Sequence, residues 1–465
     1  MNTLLHLGLG SFHRAHQAVY LHKLNQTGDA SWTLAGGNTR PDMAETVAAL
    51  AAQGGAYTLE TISPSGEHRY ERITSIRKVI PYSADLAGLI AEGSSPATKI
   101  ISFTVTEAGY YLDAKNQLDL NFADLAADVQ AARAGSAGGT IYAALTAILR
   151  ARSAAGVGPV TLLNCDNLRH NGDRARSGLL QFVKRIGDAA LHDWTLANTT
   201  SPNAMVDRIT PRPTPDVRER VRAATGIDDP AALMGESFIQ WVIEDNFIAG
   251  RPAWEKVGVE MVASVDPYEE AKIRLLNATH SCIAWAGTLA GFLYIHEGTH
   301  DAEIRQQAYD YVTDDTIPCL HSAAKPSPID LAAYRDIVLD RFGNPAIRDT
   351  NQRVAMDGFS KIPGFIVPTM NERLSRGETI ASVAMLPALF LAYLQRWHRG
   401  QLPYTYQDQA MDPAQAHAIC EATDPVAAFA ADKVLFGLLA GDERLVAALR
   451  TASARVADFV RRRSP

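Results

Sequence analysis

The sequence predicts an α/β domain built on a parallel sheet, followed by a mainly α-helical domain. In the first half, the fully apolar runs "TLLHLGLG", "KIISFTVT" and "PVTLLNCDN" alternate with helical stretches, including a long one over residues 123–154. Strands that are apolar throughout are typical of a parallel sheet covered on both faces. After about residue 266 strand signals become scarce. Because 465 residues are too many for one ordinary domain, we predict domains over residues 1–262 and 263–465.

Composition narrows the classes of partner. The chain is 47% hydrophobic and 20% charged, which are globular values, and its net charge of -7 gives no reason to expect nucleic acid or an anionic membrane surface. The four cysteines are widely spaced, which favours reduced thiols. The longest apolar run, 380–394, is shorter than the roughly 18 residues of a membrane span. We therefore predict a cytoplasmic protein that binds a small neutral molecule and no membrane.

The first strand leads into a glycine-containing turn. In "LGLGSFHRAH", Gly8 and Gly10 follow the strand and precede a helix, and the strand "WTLAGGN" comes next. This is the context of a dinucleotide-binding turn, where glycines let the backbone approach a pyrophosphate at a helix N-terminus. The third glycine of the fingerprint is replaced by His13, with Phe12 and Arg14 beside it, so an ordinary strand-to-helix turn is an equal alternative. Arg14 is then either a phosphate contact or a solvated charge.

Residues after the next strands extend this predicted Rossmann-like cofactor site. Asn38 follows the second strand, where an acidic residue would bind the adenosine ribose, so the sequence does not choose between NAD and NADP. Thr106, Glu107 and Gly109 follow "KIISFTV" and are expected to line the cofactor crevice or, alternatively, only to form a turn.

A helix is predicted to begin in "DPYEEAKIRLLNATH". Asp266 suits the N-cap, Pro267 the first helical position and Glu269 the third, a pattern similar to a capping box.

Three polar residues of this helix share one face. At about 100° per residue, Lys272, Asn277 and His280 lie on one arc of an otherwise apolar helix, whereas Arg274 points elsewhere and is solvated or paired. They are either the edge of the apolar face or a catalytic constellation. In the second case Lys272 is a general base whose pKa falls from about 10.4 toward 7 or 8. Asn277 then donates to a developing alkoxide, and His280 orients the substrate.

The sequence "HEGTH", residues 296–300, matches the H-E-x-x-H pattern of zinc proteases. Such a site needs both histidines on one helical turn and a third ligand. Gly298 and Thr299 are poor helix formers and no third ligand follows at the usual spacing, so we predict no metal site.

Taken in order, "GLGSFHRAHQ", "TVTEAGY", "NCDNLRHNG", "PNAMVDRITP", "GRPAWEKVGV", "PYEEAKIRLLNATH" and "DGFSKIPGFIVPT" resemble the polyol-specific long-chain dehydrogenases, the mannitol dehydrogenase family. The resemblance covers nearly the whole chain. It implies metal-independent hydride transfer between a secondary alcohol and NAD, with NADP not excluded, in a monomer that binds a sugar alcohol or ketose.

The resemblance also assigns roles to individual residues. It implies that Lys272 is the base, that Asn277 and Asn167 are paired amide donors to the alkoxide, and that His280 assists.

Further positions match the family. Asp207 could position Lys272, with an ion pair to its neighbour Arg208 as the alternative. Arg353 and Lys361 match residues that contact the polyol. Glu269 could pass the proton of the base to water, with helix capping as its alternative role.

Within the family, the similarity is nearest to members that convert D-arabinitol to D-xylulose. The chain begins almost at its first strand, without the N-terminal extension expected of mannitol enzymes. Oxidation of D-mannitol to D-fructose and reduction of a uronate are the alternatives. A nucleotide-binding sensor without turnover is the alternative from another class, and it is disfavoured because the base and both amides are present.

Overall fold

The computed structural model describes residues 1–113 and 115–463. It divides into two compact units, the first made of Met1–Ile62 and Glu67–Asp266, the second of Ser63–Gly66 and the chain from Pro267 onward. This division falls close to the predicted boundary at residue 262.

The described part of the first unit contains twelve strands: β1 (Asn2–Leu7), β2 (Trp32–Gly37), β3 (Tyr57–Ile62), β4 (His68–Ile73), β5 (Ile76–Ile80), β6 (Thr98–Phe103), β7 (Val160–Asn164), β8 (Thr199–Thr200), β9 (Ala204–Asp207), β10 (Leu233–Glu236), β11 (Gln240–Glu244) and β12 (Glu260–Val262). Its helices are α1 (Ser11–Ala15), α2 (Gln17–Gln26), α3 (Ala44–Ala52), α4 (Ala87–Gly93), α5 (Ala123–Arg133), α6 (Ile141–Ala154), α7 (Asn171–Ile186), α8 (Ala189–Asn198) and α9 (Pro215–Thr225), with short 3-10 turns at Glu107–Tyr110 and Trp254–Val257.

Six strands form a parallel sheet in the order β5-β2-β1-β6-β7-β8. Counted along the chain, these strands follow the order 3-2-1-4-5-6 of the doubly wound dinucleotide-binding fold. The order reverses between β1 and β6, so the carboxyl ends of these two strands flank the crevice in which such sheets bind ligands. Smaller sheets, β10-β3-β4 and β12-β11-β9, complete the unit. The predicted α/β class is confirmed.

The sheet is apolar on both faces. Along β1, Leu4 belongs to one buried cluster and its neighbour Leu5 to the other, because successive side chains of a strand point to opposite faces. This is why the strands appear as continuous apolar runs in the sequence.

The helical stretch predicted over 123–154 consists of two helices, α5 and α6. Gly135 takes a left-handed backbone conformation just after α5. Gly138 then packs so closely that an added Cβ would lie 2.3 Å from a carboxylate oxygen of Asp128. Thr140 caps the second helix by accepting from the amide of Ala143. A glycine-rich break and a new cap therefore restart the helix.

From Asp266 onward the described residues contain no strand, only an isolated bridge between Tyr294 and Thr350. The helices are α10 (Asp266–Ala271), α11 (Ala278–Leu289), α12 (Ile295–His300), α13 (Ala302–Tyr311), α14 (Ile317–Leu320), α15 (Leu331–Phe342), α16 (Asn351–Ala355), α17 (Gly358–Lys361), α18 (Val367–Ser375), α19 (Met385–His398), α20 (Pro413–Glu421), α21 (Pro425–Ala430), α22 (Lys433–Phe436) and α23 (Glu443–Arg463), with a 3-10 turn at Gly437–Leu439. Three segments are π-helical: Lys272–Asn277, Val312–Thr316 and Ile362–Ile366. Within the described ranges, no helix is both long and apolar enough to cross a membrane.

Candidate active site

Six predicted cofactor residues follow neighbouring strands of the parallel sheet: Gly8 and Gly10 after β1, Asn38 after β2, and Thr106, Glu107 and Gly109 after β6. These strand ends surround the point where the strand order reverses, which is where doubly wound sheets bind dinucleotides.

Gly8 and Gly10 are glycine for different structural reasons. Gly8 has a φ of +109°, and a Cβ added there would lie 2.4 Å from the carbonyl oxygen of Thr104, so only glycine fits between β1 and β6. Gly10 has a φ of -73°, and a Cβ added there would meet nothing within 4 Å. Gly8 therefore serves the sheet, whereas the backbone at Gly10 faces open space in which a ligand could lie.

Asn38 stabilises this turn. Its side-chain oxygen accepts from the amide of Leu9 at 2.7 Å, and its side-chain nitrogen donates to the carbonyl of Asp42 at 3.2 Å. The side chain is buried. Contact between Asn38 and a ribose remains a prediction, and these bonds do not choose between NAD and NADP.

The structure supports neither of the two roles predicted for Arg14, a phosphate contact or a solvated charge. Its side chain is 1% exposed, donates from Nη1 to the carbonyl of Ala231 at 2.5 Å and lies over the ring of Tyr57. A guanidinium enclosed in this way is a structural group. Phe12 is half-buried and stacks on His16 with ring centroids 5.0 Å apart, so it also packs against the interior.

A stacked pair of imidazoles supports the turn. His13, at the third fingerprint position, stacks on His6 with centroids 3.4 Å apart, and both rings are fully buried. Burial lowers the pKa of His6 to about 3, despite a bond to the Gly8 carbonyl, and the pKa of His13 is also low because of burial. Two neutral rings therefore fill the space at a position where the usual fingerprint has glycine. His6 is not among the site residues predicted from the sequence.

Asp166 connects the ends of β6 and β7 and is not among the predicted site residues either. Its carboxylate accepts from the amides of Val105 at 2.9 Å and Thr106 at 3.0 Å, and the hydroxyl of Tyr110 donates to it. Burial raises the pKa of Asp166, and these bonds oppose the rise. Thr106 is held at a φ of +67°, which non-glycine residues rarely adopt. Asn167, the predicted amide donor, follows directly and is exposed.

Glu107 and Gly109 lie in the 3-10 turn that follows Thr106, with Glu107 exposed and Gly109 half-buried. Their position after β6 agrees with both alternatives, lining a crevice or forming a turn.

Asp207 ends β9 and is buried beside Gln240 of β11. Its neighbour Arg208 donates to the carbonyls of Ala15 at 2.5 Å and Glu236 at 2.7 Å. The guanidinium of Arg208 is thus bound by backbone oxygens, which weakens the alternative of an Asp207–Arg208 ion pair.

The predicted uninterrupted α-helix around Lys272 is wrong over six residues, because Lys272–Asn277 is a π-helical segment between α10 and α11. A π-helix closes its hydrogen bonds at i→i+5. Lys272 and Asn277, five residues apart, therefore have the relation that residues i and i+4 have in an α-helix. His280 lies three residues further on α11 and continues the same face. The shared face remains, but for a different reason.

The residues flanking this face are consistent with it. Lys272 is 6% exposed, and Glu269, also buried, lies three residues before it. Arg274 is buried in another direction, where it pairs with Glu372 at 2.9 Å and donates to Thr369 at 3.1 Å. Arg274 is therefore paired and not solvated.

The second unit also brings His280 close to Arg353. The ring of His280 stacks on Phe342 with centroids 4.3 Å apart, and its Nε2 lies 3.2 Å from a carboxylate oxygen of Asp349. Arg353 binds the same carboxylate from Nε at 2.6 Å. Burial lowers the pKa of His280, although Asp349 opposes the shift.

Lys361 ends α17 and donates to the carbonyl of Val354 at 2.5 Å. Burial lowers its pKa to about 8. Arg353 borders an open cleft of about 740 Å³ whose lining is mostly polar: Thr350, Gln352, Arg353, Met356, Asp357, Gln407, Asp408 and Gln409. Lys272 and Asn277 do not line this cleft.

The "HEGTH" motif is helical, contrary to the expectation from Gly298 and Thr299. It forms α12, and the carboxylate of Glu297 accepts from the amides of Leu293 and Tyr294 at the helix start. A Cβ on Gly298 would lie 3.0 Å from Ile283, so glycine lets α12 pack against α11. Glu297 is thus a helix cap.

Comparisons with known proteins cover nearly the whole chain. The family model of the mannitol dehydrogenase Rossmann domain matches residues 2–256, and that of the mannitol dehydrogenase C-terminal domain matches residues 264–457. D-arabinitol 4-dehydrogenase of Ralstonia nicotianae is 62% identical over 98% of this chain and 96% of its own length. The enzyme of that name from Klebsiella pneumoniae is 56% identical over 98% of both chains. Pseudomonas fluorescens mannitol 2-dehydrogenase, solved as a ternary complex with NAD and D-mannitol, has a TM-score of 0.80 at 33% identity, covering 99% of this chain and 93% of the other.

Proposed function

Because the chain belongs to the mannitol dehydrogenase family, we propose that it oxidises D-arabinitol to D-xylulose with NAD. The observation that carries the substrate is the 62% identity, over nearly the full length, to a protein named D-arabinitol 4-dehydrogenase. D-mannitol is the alternative substrate, supported by the more distant mannitol 2-dehydrogenase at 33% identity.

The first unit fits a dinucleotide. The strand order reverses between β1 and β6, and the open backbone at Gly10 leaves room for a phosphate beside the turn. Asp166 holds the backbone of Val105 and Thr106 at the same strand ends, where Thr106 and Glu107 would contact the cofactor. When bound, NAD supplies the nicotinamide that accepts the hydride. NADP is the alternative cofactor.

The face that begins at Lys272 fits the proton chemistry of alcohol oxidation. The Lys272 amine accepts the hydroxyl proton while the carbon-bound hydrogen leaves as a hydride, so that the alcohol becomes a ketone. Asn277 lies next to Lys272 on the π-helical segment and donates to the oxygen as its negative charge develops. Asn167 is proposed as a second amide donor.

The remaining predicted residues are proposed in supporting roles. Arg353 and Lys361 carry only donors, which suits hydroxyl oxygens of a polyol, and His280 orients the reacting hydroxyl. Glu269 passes the proton from Lys272 toward water, and Asp207 positions the base.

Two further properties are proposed with the function. We infer that the protein acts in the cytoplasm, since its four cysteines are free thiols, three of them buried, as expected in a reducing compartment. We also propose that it is a monomer. A light-scattering mass near twice 50.3 kDa would contradict the monomer.

The function is tested by following NADH formation with D-arabinitol, D-mannitol, D-sorbitol and xylitol, first with NAD and then with NADP. We expect the highest kcat/KM with D-arabinitol and NAD, and D-xylulose as the product by chromatography. A higher value with D-mannitol would favour the alternative substrate. Binding of NAD by calorimetry without turnover of any of these polyols would indicate a nucleotide sensor.

A further inference from the structure

One carboxylate, Asp349, contacts two of the proposed polyol-binding residues. Its two oxygens receive Nε and Nη2 of Arg353 at 2.6 and 2.5 Å, a two-point pair that fixes both the position and the plane of a guanidinium. One of these oxygens also lies 3.2 Å from Nε2 of His280. The three residues come from separate parts of the second unit: α11, the loop after α15, and α16.

Backbone contacts around Asp349 hold its carboxylate in place. The backbone carbonyl of Asp349 accepts from the amide of Ile295 at 2.9 Å. The next residue, Thr350, forms a bridge with Tyr294 and caps α16 by accepting from the amide of Arg353. The Asp349 side chain is 11% exposed. Burial opposes ionisation, but the contacts with His280 and Arg353 hold the pKa of Asp349 below its usual range. It is therefore a fixed negative charge at neutral pH.

The Asp349 carboxylate holds the Arg353 side chain in one conformation. The Arg353 side chain is 66% exposed, and a long exposed side chain loses rotamer freedom when it is held in one conformation. The described hydrogen bonds of its guanidinium go to Asp349. Without the carboxylate, the guanidinium that borders the polar cleft would sample many positions.

The His280 ring is held from two sides. Phe342 stacks against its face, and Asp349 lies at the Nε2 edge, although the two atoms are not aligned for a good hydrogen bond, so the contact is mainly electrostatic. A carboxylate beside Nε2 favours a proton on that nitrogen. Burial disfavours a second proton on the ring, and the cations of Arg353 and Lys361 add to this effect, so the neutral ring keeps Nδ1 as an acceptor.

We propose that Asp349 is a positioning residue for polyol binding, holding His280 in the tautomer whose Nδ1 accepts from a substrate hydroxyl and orienting the Arg353 guanidinium toward the same substrate. This inference rests on the proposed function, because the substrate is the polyol. It adds a residue that touches neither the substrate nor the cofactor.

The test compares Asp349→Asn with Asp340→Asn, which removes an exposed carboxylate paired with Arg305 on the surface of the same unit. The amide keeps the size of Asp349 but not its charge. We expect the polyol KM of Asp349→Asn to rise about tenfold to a hundredfold, as for loss of a bond to a charged group, with a smaller change in kcat and none in the NAD KM. Asp340→Asn should match the wild type in all three.

A second readout does not depend on turnover. Nitrogen NMR of the His280 ring, assigned with His280→Gln, should show the proton on Nε2 in the wild type and a mixture of tautomers in Asp349→Asn. An unchanged tautomer together with an unchanged polyol KM would overturn the proposal. If the wild type oxidises no polyol, the proposed function fails, and the tautomer still reports on Asp349.

A double-mutant cycle covers the case in which Asp349→Asn is merely less stable. If Asp349 acts through Arg353, the effects of Asp349→Asn and Arg353→Met on the polyol KM should be clearly less than additive. Fully additive effects with a lowered melting temperature would show a structural role only and would also overturn the proposal.

Discussion

The glycine turn, residues 8–14, and the lysine segment, residues 272–280, differ in which groups they leave for a ligand. In the turn, the side chains near the expected ligand are used internally: Asn38 binds the Leu9 amide, Arg14 binds the Ala231 carbonyl, and His13 stacks on His6. In the turn, the groups left for a ligand are therefore backbone atoms. In the lysine segment the backbone is helical and closed, and the side chains of Lys272, Asn277 and His280 share a face.

The sequence motifs of the glycine turn and of the lysine segment are therefore informative in different ways. In the turn, the backbone at Gly10 faces open space and the polar side chains beside it maintain the shape, so Arg14 fits neither of its predicted roles. In a helix the side chains carry the function, and the helical register decides which of them share a face. Here one π-helical segment sets that register.

The largest effect is expected in the lysine segment. Asn277→Ala removes the proposed donor to the developing alkoxide, and kcat should fall about a hundredfold to a thousandfold, with little change in melting temperature. Steady-state kinetics and a thermal melt measure both. The control is Asn371→Ala, an exposed asparagine on α18 in the same unit. If the two variants had similar kcat values, Asn277 would not be an oxyanion donor.

In the glycine turn, substitutions that add a Cβ to the backbone should have distinct effects on stability and on NAD binding. Gly8→Ala places a Cβ against the Thr104 carbonyl at a left-handed φ, and we expect a loss of about 2 to 4 kcal/mol in the free energy of unfolding. Gly10→Ala meets no atom, so stability should be unchanged while the KM for NAD rises several-fold. Urea unfolding and NAD titrations separate the two. An equal loss of stability in both variants would remove the distinction between a structural and a ligand-facing glycine.

The sequence predicts the fold class and family, both of which the structure and the family models confirm, because central parallel strands are buried on both faces and appear as apolar runs. The roles of Asp166 and Asp349 could not be predicted from the sequence. Asp166 contacts residues about 60 positions away, and Asp349 contacts His280 of α11 from the loop after α15. The π-helical register of Lys272–Asn277 was not predicted either. The break before Thr140, with three glycines nearby, could have been recognised.

A further prediction concerns Lys361, whose pKa is lowered to about 8 by burial. Between pH 8 and its ordinary pKa of 10.5, the unfolded chain binds more protons at this residue than the folded chain does. Stability therefore rises with pH across that window. The free energy of unfolding of the wild type minus that of Lys361→Met should increase from pH 8 to 10 and stay constant between pH 6 and 7. A flat difference throughout would show that Lys361 is not desolvated.

The most direct test of the lysine segment as the catalytic centre is the turnover of Lys272→Ala with D-arabinitol and NAD at neutral pH, with and without added methylamine. General-base loss predicts a fall in kcat of about 10² to 10⁴, NAD binding close to that of the wild type, and partial recovery of the rate when the small amine takes the place of the missing one. Turnover within a few-fold of the wild type in the absence of amine would contradict the assignment of Lys272 as the base.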